Sequence, residues 1–393
     1  MSCKEISLYI HIPFCVSKCD YCDFFSVPTG CKKSAVQDEY INALCNEIKF
    51  RFSNYQQSKI KTVYIGGGTP SLLNENQIKT ISDVIKQTGL TQDYEFTFEV
   101  NPDDVTEQLL LALDSCGINR ISCGIQSFDD DVLKKVKRRA DSKTVLKALE
   151  LLKSKWNKRL SVDLICSLPG ETQKSMMKGL ELLVQKKIEH ISFYSLCVEE
   201  ETPLGKSITL GDTPYDYDFC DELWLKGRDY LISNGYEQYE VSNFCLPQNE
   251  CLHNMTYWTH KDYIGCGSGG TGTIYTVKGE GIRYTNDKNI SEYIDFWTKN
   301  NLENTQKVSN IPQSVEKIIQ KTSKFEYFMM ALRTKRGVSP AEYQEIFGEP
   351  ISPVIQKKLE STCKESDSGN YYLEKDKLLF LNTFLEELLD LPD

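Results

Sequence analysis

Three cysteines, Cys15, Cys19 and Cys22, fall within YIHIPFCVSKCDYCDF (9–24) at the spacing C-x3-C-x2-C. Packed this tightly they make a poor disulfide framework and a good metal site, because a thiolate is a ligand and three on one short loop can converge on one inorganic centre. Structural zinc usually takes four N or S ligands, often as C-x2-C pairs, and a [4Fe–4S] cluster is normally held by four cysteines. Three with no fourth nearby suggest a cluster with one iron left open, the mark of a site that binds a ligand or does chemistry. The competing reading is three incidental thiols in a chain with 15 cysteines. The spacing and the apolar lead-in ISLYIHI, which reads as a strand, argue against it.

Other groups suited to a ligand lie further along. Gly66-Gly67-Gly68-Thr69-Pro70 would let backbone approach a ligand closely, although it also reads as a tight strand–helix turn. It lacks the GK[ST] ending of a phosphate loop. Glu99, Gln126, Arg138 and Asp163 each read equally well as surface or capping residues. Together they supply hydroxyl acceptors, an amide and a cation, a set that fits a ligand bearing both a ribose and an amino-acid carboxylate. Arg138 suits the carboxylate through its planar fork, and Glu99 and Asp163 suit ribose hydroxyls.

The elements that must position these groups follow a regular alternation. Apolar runs at 6–12, 61–66, 94–100, 119–125, 160–165 and 190–196 read as strands, and segments near 35–52, 74–88, 106–115, 129–153 and 172–187 read as helices. Such alternation predicts an α/β fold of parallel βα units. Six units without an obvious seventh or eighth predict an incomplete parallel (β/α)6 TIM-like barrel, in which ligands collect at the C-terminal ends of the strands. The cysteine loop follows strand one, GGGTPS strand two, Glu99–Pro102 strand three and Gln126-Ser127 strand four, while Asp163 lies within strand five. Beyond about residue 200 the pattern changes: a helix over 215–234, then a region rich in Gly, His and aromatics through 275, then helix again from about 288. TKNNLENTQKVSN (298–310) reads as a linker, and 323–393 as a mostly helical domain closed by a hairpin and a last helix. The expected division is 1–210 for the partial barrel, 211–300 for an extension of it and 301–393 for an additional mostly helical C-terminal domain.

These residues resemble the radical S-adenosylmethionine superfamily. YIHIPFC, GGGTPS, GIQSFDD, DLICSLPGET, HISFYSL, YEVSNF, HNMTYW and DYIGCG are similar to the branch that contains oxygen-independent coproporphyrinogen III oxidase and the heme chaperone HemW. The resemblance implies a [4Fe–4S] cluster on Cys15, Cys19 and Cys22, with the amino-acid end of S-adenosylmethionine on the fourth iron. It also implies cofactor contacts from Tyr9, Tyr21, Gly67, Gly68, Thr69, Glu99, Gln126, Arg138 and Asp163, although KVKRRA offers Arg139 one place beyond Arg138. The oxidase carries a further cysteine two residues after the third. Here that place is Phe24, as in the chaperone subgroup, and His253-Asn254-Met255-Thr256-Tyr257-Trp258 fits the HNxxYW pattern associated with heme there. His253 is therefore a candidate heme contact, imidazole being a standard axial ligand, against its reading as a hydrogen-bonded buried histidine. Cys251 is a secondary candidate. A zinc site from Cys245, Cys251, His253, His260 and Cys266 fits no common ligand spacing. Ser268-Gly269-Gly270 departs from the GPGA-like segment of relatives. The resemblance implies delivery of heme to acceptor proteins, including membrane respiratory proteins. Its enzyme alternative is oxidative decarboxylation of coproporphyrinogen III.

Bulk properties agree with a soluble chain of this kind. A net charge of −10, from 46 basic and 56 acidic residues, leaves no electrostatic footprint for nucleic acid. MSCKEISLYI lacks a signal-peptide pattern, and no run of 18 apolar residues predicts a membrane span. Free thiols in a reducing cytoplasm are the economical reading of the cysteines. An oligomer is compatible with all of this.

Overall fold

The computed structural model describes residues 4–29, 35–55, 57–299 and 310–391. Six strands pair in parallel in chain order: β1 Lys4–Ile12, β2 Ser58–Gly67, β3 Leu90–Val100, β4 Arg120–Gln126, β5 Arg159–Cys166 and β6 His190–Ser195. They are the six expected, each lengthened or moved by a few residues. The joining helices Ala35–Ser53, Glu75–Thr88, Glu107–Ser115, Ser142–Lys155 and Gln173–Gln185 also lie where periodicity places them. Four start at caps legible in the sequence: the side chains of Asn74, Thr106, Asp141 and Thr172 each accept from a backbone N–H three residues on, satisfying donors the first turn leaves open.

The fourth helix differs from expectation. The stretch 129–153 divides into Asp130–Lys135 and Ser142–Lys155. Lys137 takes φ 54° between them, and the break turns Arg138 inward.

A parallel sheet covered on both faces is usually apolar throughout, but these strands alternate. Ile6, Leu8, Ile10 and Ile12 of β1, Val63 and Ile65 of β2, and Phe96 and Phe98 of β3 are buried on one face. The intervening positions are polar: Ser7, Tyr9 and His11 on β1, Thr62 and Tyr64 on β2, Glu95, Thr97 and Glu99 on β3, Arg120 and Ser122 on β4. Register sets these side by side, Ser7 against Thr62, Thr62 against Glu95, Glu99 against Ser122 and Ser122 against Ser161. Since side chains alternate faces along a strand, the sheet has one apolar face and one face built of hydrogen-bonding groups.

The count of parallel strands needs correction. β7, Tyr263–Cys266, pairs in parallel with the free side of β1. The sheet continues antiparallel through β8 Thr271–Tyr275, β9 Gly281–Asn286 and β10 Gln313–Ile318. At its other edge Asn243–Cys245 and Glu237–Gln238 add to β6. At four residues, β7 is too short for periodicity to reveal. One core runs from Ile6 to Trp297, and a second joins Tyr327 to Leu388. The second is built by helices Gln320–Ala331, Pro340–Phe347, Pro353–Thr362 and Leu381–Leu389 with a small hairpin at Tyr371–Tyr372. Of the expected linker, residues 300–309 lie outside the described residues.

Candidate functional site

The cysteine loop leaves the C-terminal end of β1. It is held by a short pairing of Phe14–Cys15 with Val27–Pro28 and by a bond from Asp20 N–H to the Val136 carbonyl, 3.1 Å. Cys15, Cys19 and Cys22 are free thiols, the first two buried and the third half-buried. Two of the sulfurs face hydrogen-bond donors from other units: Thr69 Oγ1 donates to Cys15 Sγ at 3.4 Å, and Arg138 Nη1 lies 3.7 Å from Cys19 Sγ. Tyr21 stands beside Cys19. Burial pushes the Cys22 thiol up, with a smaller push from neighbouring Cys19 and Cys15, the arrangement a cationic centre would relieve. Gly68 must be glycine here, because a Cβ would stand 2.7 Å from the Phe14 carbonyl and 3.1 Å from Cys15 Sγ. Among the described residues no three His, Cys, Asp or Glu side chains are placed to hold one metal ion. A four-iron cluster presents a separate iron to each thiolate, so its sulfurs need not meet at a point. Three thiols, two of them facing donors, beside a backbone that leaves room for them, fit such a cluster.

The next polar groups form a connected set at the same ends of the strands. Glu99 accepts from the Tyr64 hydroxyl at 2.7 Å and from Gly67 N–H at 3.3 Å. Burial raises its carboxyl to about 7, with those two bonds opposing the rise. Asp163 accepts from Ser122 Oγ at 3.0 and 2.9 Å, and burial lifts its carboxyl as well. Arg138 Nη2 donates to Asn101 Oδ1 at 2.7 Å and to the Gly124 carbonyl, while Asn101 Nδ2 donates to Thr69 Oγ1 at 3.3 Å. Arg139 instead faces out, pairing with Asp103 at 3.1 Å and Asp104 at 2.6 Å. Gln126 ends β4 at φ 69°, where the register with β5 slips. Tyr9 stacks on Tyr64, 6.3 Å between ring centres. The structure thus gathers Tyr9, Tyr21, Gly67, Gly68, Thr69, Glu99, Gln126, Arg138 and Asp163 around the cysteine loop. Tyr64 and Asn101 belong to the set although sequence reasoning did not select them as ligand contacts. Tyr64's place on the polar alternation of β2 was the available signal.

His253 is placed elsewhere. Helix Leu252–Trp258 lies on the polar face of the sheet toward the start of the strands. Glu95 takes the N–H groups of Leu252 and His253, at 3.2 and 3.0 Å, and the Cys251 thiol, at 3.5 Å. His253 is 1% exposed, and both ring nitrogens are engaged: Nδ1 with Thr62 Oγ1 at 2.7 Å and Nε2 with the Tyr257 hydroxyl at 2.8 Å. Burial lowers its pKa to about 3, so it is a neutral, internally bonded imidazole. Cys251 is fully buried, its thiol pushed up to about 12 by burial, which removes it from any exposed heme surface. His260 bonds Ser323 at 2.9 Å and stacks on Tyr275, away from His253.

Beside the cysteine loop opens a cavity of about 400 Å³ lined by Tyr9, His11, Phe24, Phe25, Tyr257 and Lys288, among others. Phe24 is 69% exposed at its mouth. Tyr9 Oη and His11 Nδ1 are 2.9 Å apart, and His11 Nε2 reaches the Phe25 carbonyl, also at 2.9 Å. A carbonyl only accepts, so Nε2 carries the proton and Tyr9 donates to Nδ1. The Ser268-Gly269-Gly270 loop folds tightly, with Gly270 N–H on the Gly267 carbonyl at 2.8 Å. A Cβ on Gly269 would meet the Phe25 ring at 2.8 Å, so this loop backs the cavity wall. Sequence reasoning missed His11 and the cavity, which brings residues 9–25 together with residues 257–288.

A family model described as the Radical SAM superfamily matches residues 9–183. Along nearly its full length the chain is similar to proteins described as heme chaperone HemW. It is 32% identical to that of Buchnera aphidicola from Schizaphis graminum, over 98% of each chain. It is 34% identical to that of Lactococcus lactis, over 95% of this chain and 97% of that one. It is 30% identical to that of Escherichia coli, over 98% of each. Among solved structures it resembles coproporphyrinogen III oxidase (HemN) from Escherichia coli, a radical SAM enzyme. The TM-score is 0.79 at 18% identity, covering 98% of this chain and 89% of that one. At that identity the likeness is one of fold.

Proposed function

From a chain that belongs to the HemW heme chaperone family of radical SAM proteins, we infer a protein that binds a [4Fe–4S] cluster, S-adenosylmethionine and heme, and passes heme to acceptor proteins. The observation that carries the cluster is the trio of free thiols on one loop, two of them facing Thr69 and Arg138. Cys15, Cys19 and Cys22 would hold three irons. With S-adenosylmethionine bound, such a cluster supplies one-electron chemistry that side chains cannot.

The chain's own residues orient that cofactor. Glu99, anchored by Tyr64 and Gly67, keeps acceptor capacity for ribose hydroxyls, as does Asp163 beside it. Arg138 holds its charge over Cys19 and, with Asn101 and Thr69, ties the loops after β1, β2, β3 and β4 into one rigid wall. Gly67 and Gly68 bring backbone to the cofactor, and Tyr9, Tyr21 and Gln126 complete its contacts. His253 enters this reading through its motif alone, as a buried imidazole bonded to Thr62 and Tyr257.

The same reading extends to architecture. The six parallel βα units curve as an incomplete (β/α)6 barrel over 1–210, extended by 211–300, with a mostly helical domain over 301–393; the separate second core, from Tyr327 to Leu388, supports the helical domain itself. Heme acceptors include membrane respiratory proteins. No described helix is long and apolar enough to cross a membrane, and we place the protein in the cytoplasm.

Anaerobic reconstitution followed by hemin titration tests the function. Wild type should gain four irons per chain by the stoichiometry of a cubane and show a hemin-dependent Soret band, and Cys19→Ala should lose the iron. The enzyme alternative, supported by the fold shared with HemN, predicts conversion of coproporphyrinogen III. Phe24, where a thiol would be expected for that chemistry, argues against it. Product formation without hemin binding would overturn the chaperone assignment.

A further inference from the structure

A second cavity, of about 320 Å³, opens at the C-terminal end of β5, the end at which parallel βα units gather ligands. No described residue lines both it and the cavity beside the cysteine loop. We propose that it binds an organic cation, an alkylammonium or alkylguanidinium group, between the carboxyls of Glu171 and Asp216 and the rings of Tyr215 and Phe219.

One wall is the turn that follows β5. Ser167 takes φ 71° there, a left-handed conformation that costs energy in any residue but glycine. Glu171 closes the turn twice: Ser167 N–H donates to its Oε2 at 2.7 Å, and its own N–H donates to the Leu168 carbonyl at 2.9 Å. The carboxyl is thereby held in place, and its Oε1 has no hydrogen bond among the described residues. The opposite wall is the start of helix Tyr217–Ser233, where Asp216 accepts from Phe219 N–H at 3.1 Å. Ser167 Oγ donates to the Cys220 carbonyl at 3.3 Å and joins the two walls.

The charges of this cavity lack a counterpart. None of its lining residues is basic, and neither carboxyl forms an ion pair among the described residues. The cations nearby are engaged elsewhere: Lys226 donates to Gln173 at 3.2 Å and pairs with Glu222 at 3.7 Å, and Lys135 packs its ammonium against Gly170. The other groups around Glu171 are acidic or neutral: Asp129 before helix Asp130–Lys135, Cys166 at the end of β5, and Tyr215 and Cys220 across the cavity. Burial raises the Glu171 carboxyl to about 8, opposed by the Ser167 N–H and helped by Asp129. A cation placed beside it would favour the ionised form, and aromatic ring faces attract the same charge. Phe219 is 40% exposed, a surface that a stacked alkylguanidinium would cover. At its size the cavity admits one small ligand or one long side chain.

Calorimetric titration of the full chain with n-butylguanidinium and n-butylammonium, in buffers of different ionisation enthalpy, tests this. Near pH 7 binding should release up to about one proton per site to the buffer, and affinity should rise several-fold between pH 6 and 8. The neutral isostere n-butylurea should not bind. Glu171→Gln keeps an acceptor for Ser167 N–H; it should weaken binding about tenfold or more, release no proton and leave cluster yield unchanged. Phe219→Leu should weaken binding a few-fold through loss of the ring face. An acetylated tripeptide with a central arginine that binds as well as n-butylguanidinium would identify a protein side chain as the occupant, and binding of the free probes alone would identify a small amine; both support the site. No binding of either cation, or binding of n-butylurea as tight as theirs, would overturn the proposal. So would equal affinity in wild type and Glu171→Gln, which would mean that the net negative charge of the chain alone attracts the probe.

Discussion

Nη1 of Arg138 stands 3.7 Å from Sγ of Cys19, while Nη2 of the same guanidinium donates to Asn101 at 2.7 Å. A cation thus rests against one of the three sulfurs that would hold the cluster. Arg138→Leu should lower the iron retained after reconstitution by at least about half, since losing even 1 kcal/mol of ligand stabilisation changes occupancy several-fold. Arg139→Leu, at a guanidinium that pairs with Asp103 and Asp104 rather than with a cysteine, should leave it near wild type. Equal iron content in both variants would refute a role for Arg138 at the cluster.

Gly68→Ala should act through volume alone. A Cβ there meets the Phe14 and Ile12 carbonyls at 2.7 and 3.0 Å, backbone that cannot swing aside. The cysteine loop must shift, with a cost of about 1–3 kcal/mol for overpacking and loss of cluster absorbance at unchanged thiol count. Full cluster yield in this variant would show that the loop tolerates the extra methyl.

Glu99 couples the cofactor pocket to pH. Its carboxyl rises from 4.5 to about 7 on folding, chiefly through burial. A raised carboxyl stabilises the fold below its unfolded pKa, and that contribution is lost as pH rises through the folded one. Across roughly pH 4.5 to 7 the ligand-free protein should lose up to about 3 kcal/mol from this residue. Glu240, raised to about 7, and Glu171, raised to about 8, slope the same way, whereas His253 and His260, lowered to about 3 and 4, slope oppositely. The comparison is therefore with Glu99→Gln, whose melting temperature should fall less between pH 5 and 8 while S-adenosylmethionine binds about tenfold or more weakly. Parallel melting curves for the two proteins would refute the assignment.

His253→Ala should destabilise the protein whether or not heme is present. It strands the Thr62 and Tyr257 hydroxyls and opens a cavity, together about 2–4 kcal/mol. Urea unfolding of the heme-free protein should show a lower midpoint at an unchanged slope. Loss of hemin binding in this variant is consequently no proof of ligation, and His253→Gln is the better probe.

Glu95→Ala should loosen the same helix from its start. The carboxylate serves two backbone N–H groups, the Cys251 thiol and Arg159 Nη1 at 3.3 Å, so its removal should cost about 3 kcal/mol. Amide exchange at Leu252 and His253 should accelerate in that variant before exchange in β3 does. Unchanged protection there would mean that the helix is held by its other contacts.

Most of the parallel sheet was legible because six apolar runs alternate with amphipathic stretches whose caps, such as Asn74 and Thr172, sit at their first turns. The cysteine loop was legible for a similar reason: Cys15, Cys19 and Cys22 are close in the chain, so spacing alone constrains their chemistry. β7 was not, since four residues carry no period and its pairing with β1 spans 256 positions by register. Arg138 could be separated from Arg139 only once the break after Lys135 had turned one inward and the other out.

The amino-acid sequence by itself determined the local chemistry: three sulfurs on one loop, glycines where backbone must come close, and a motif that places His253 and Tyr257 one helical turn apart. Tertiary structure decided which of those two residues meets a cavity and which is sealed beneath it. Helix phase puts both on related faces, but exposure depends on what packs above. Here that is β1 and β2, drawn from the opposite end of the chain, whose Ser7 and Thr62 hydroxyls occupy the far side of His253. Hydrogen bonds between residues 191 positions apart exist only after folding, so no reading of spacing could have oriented that imidazole.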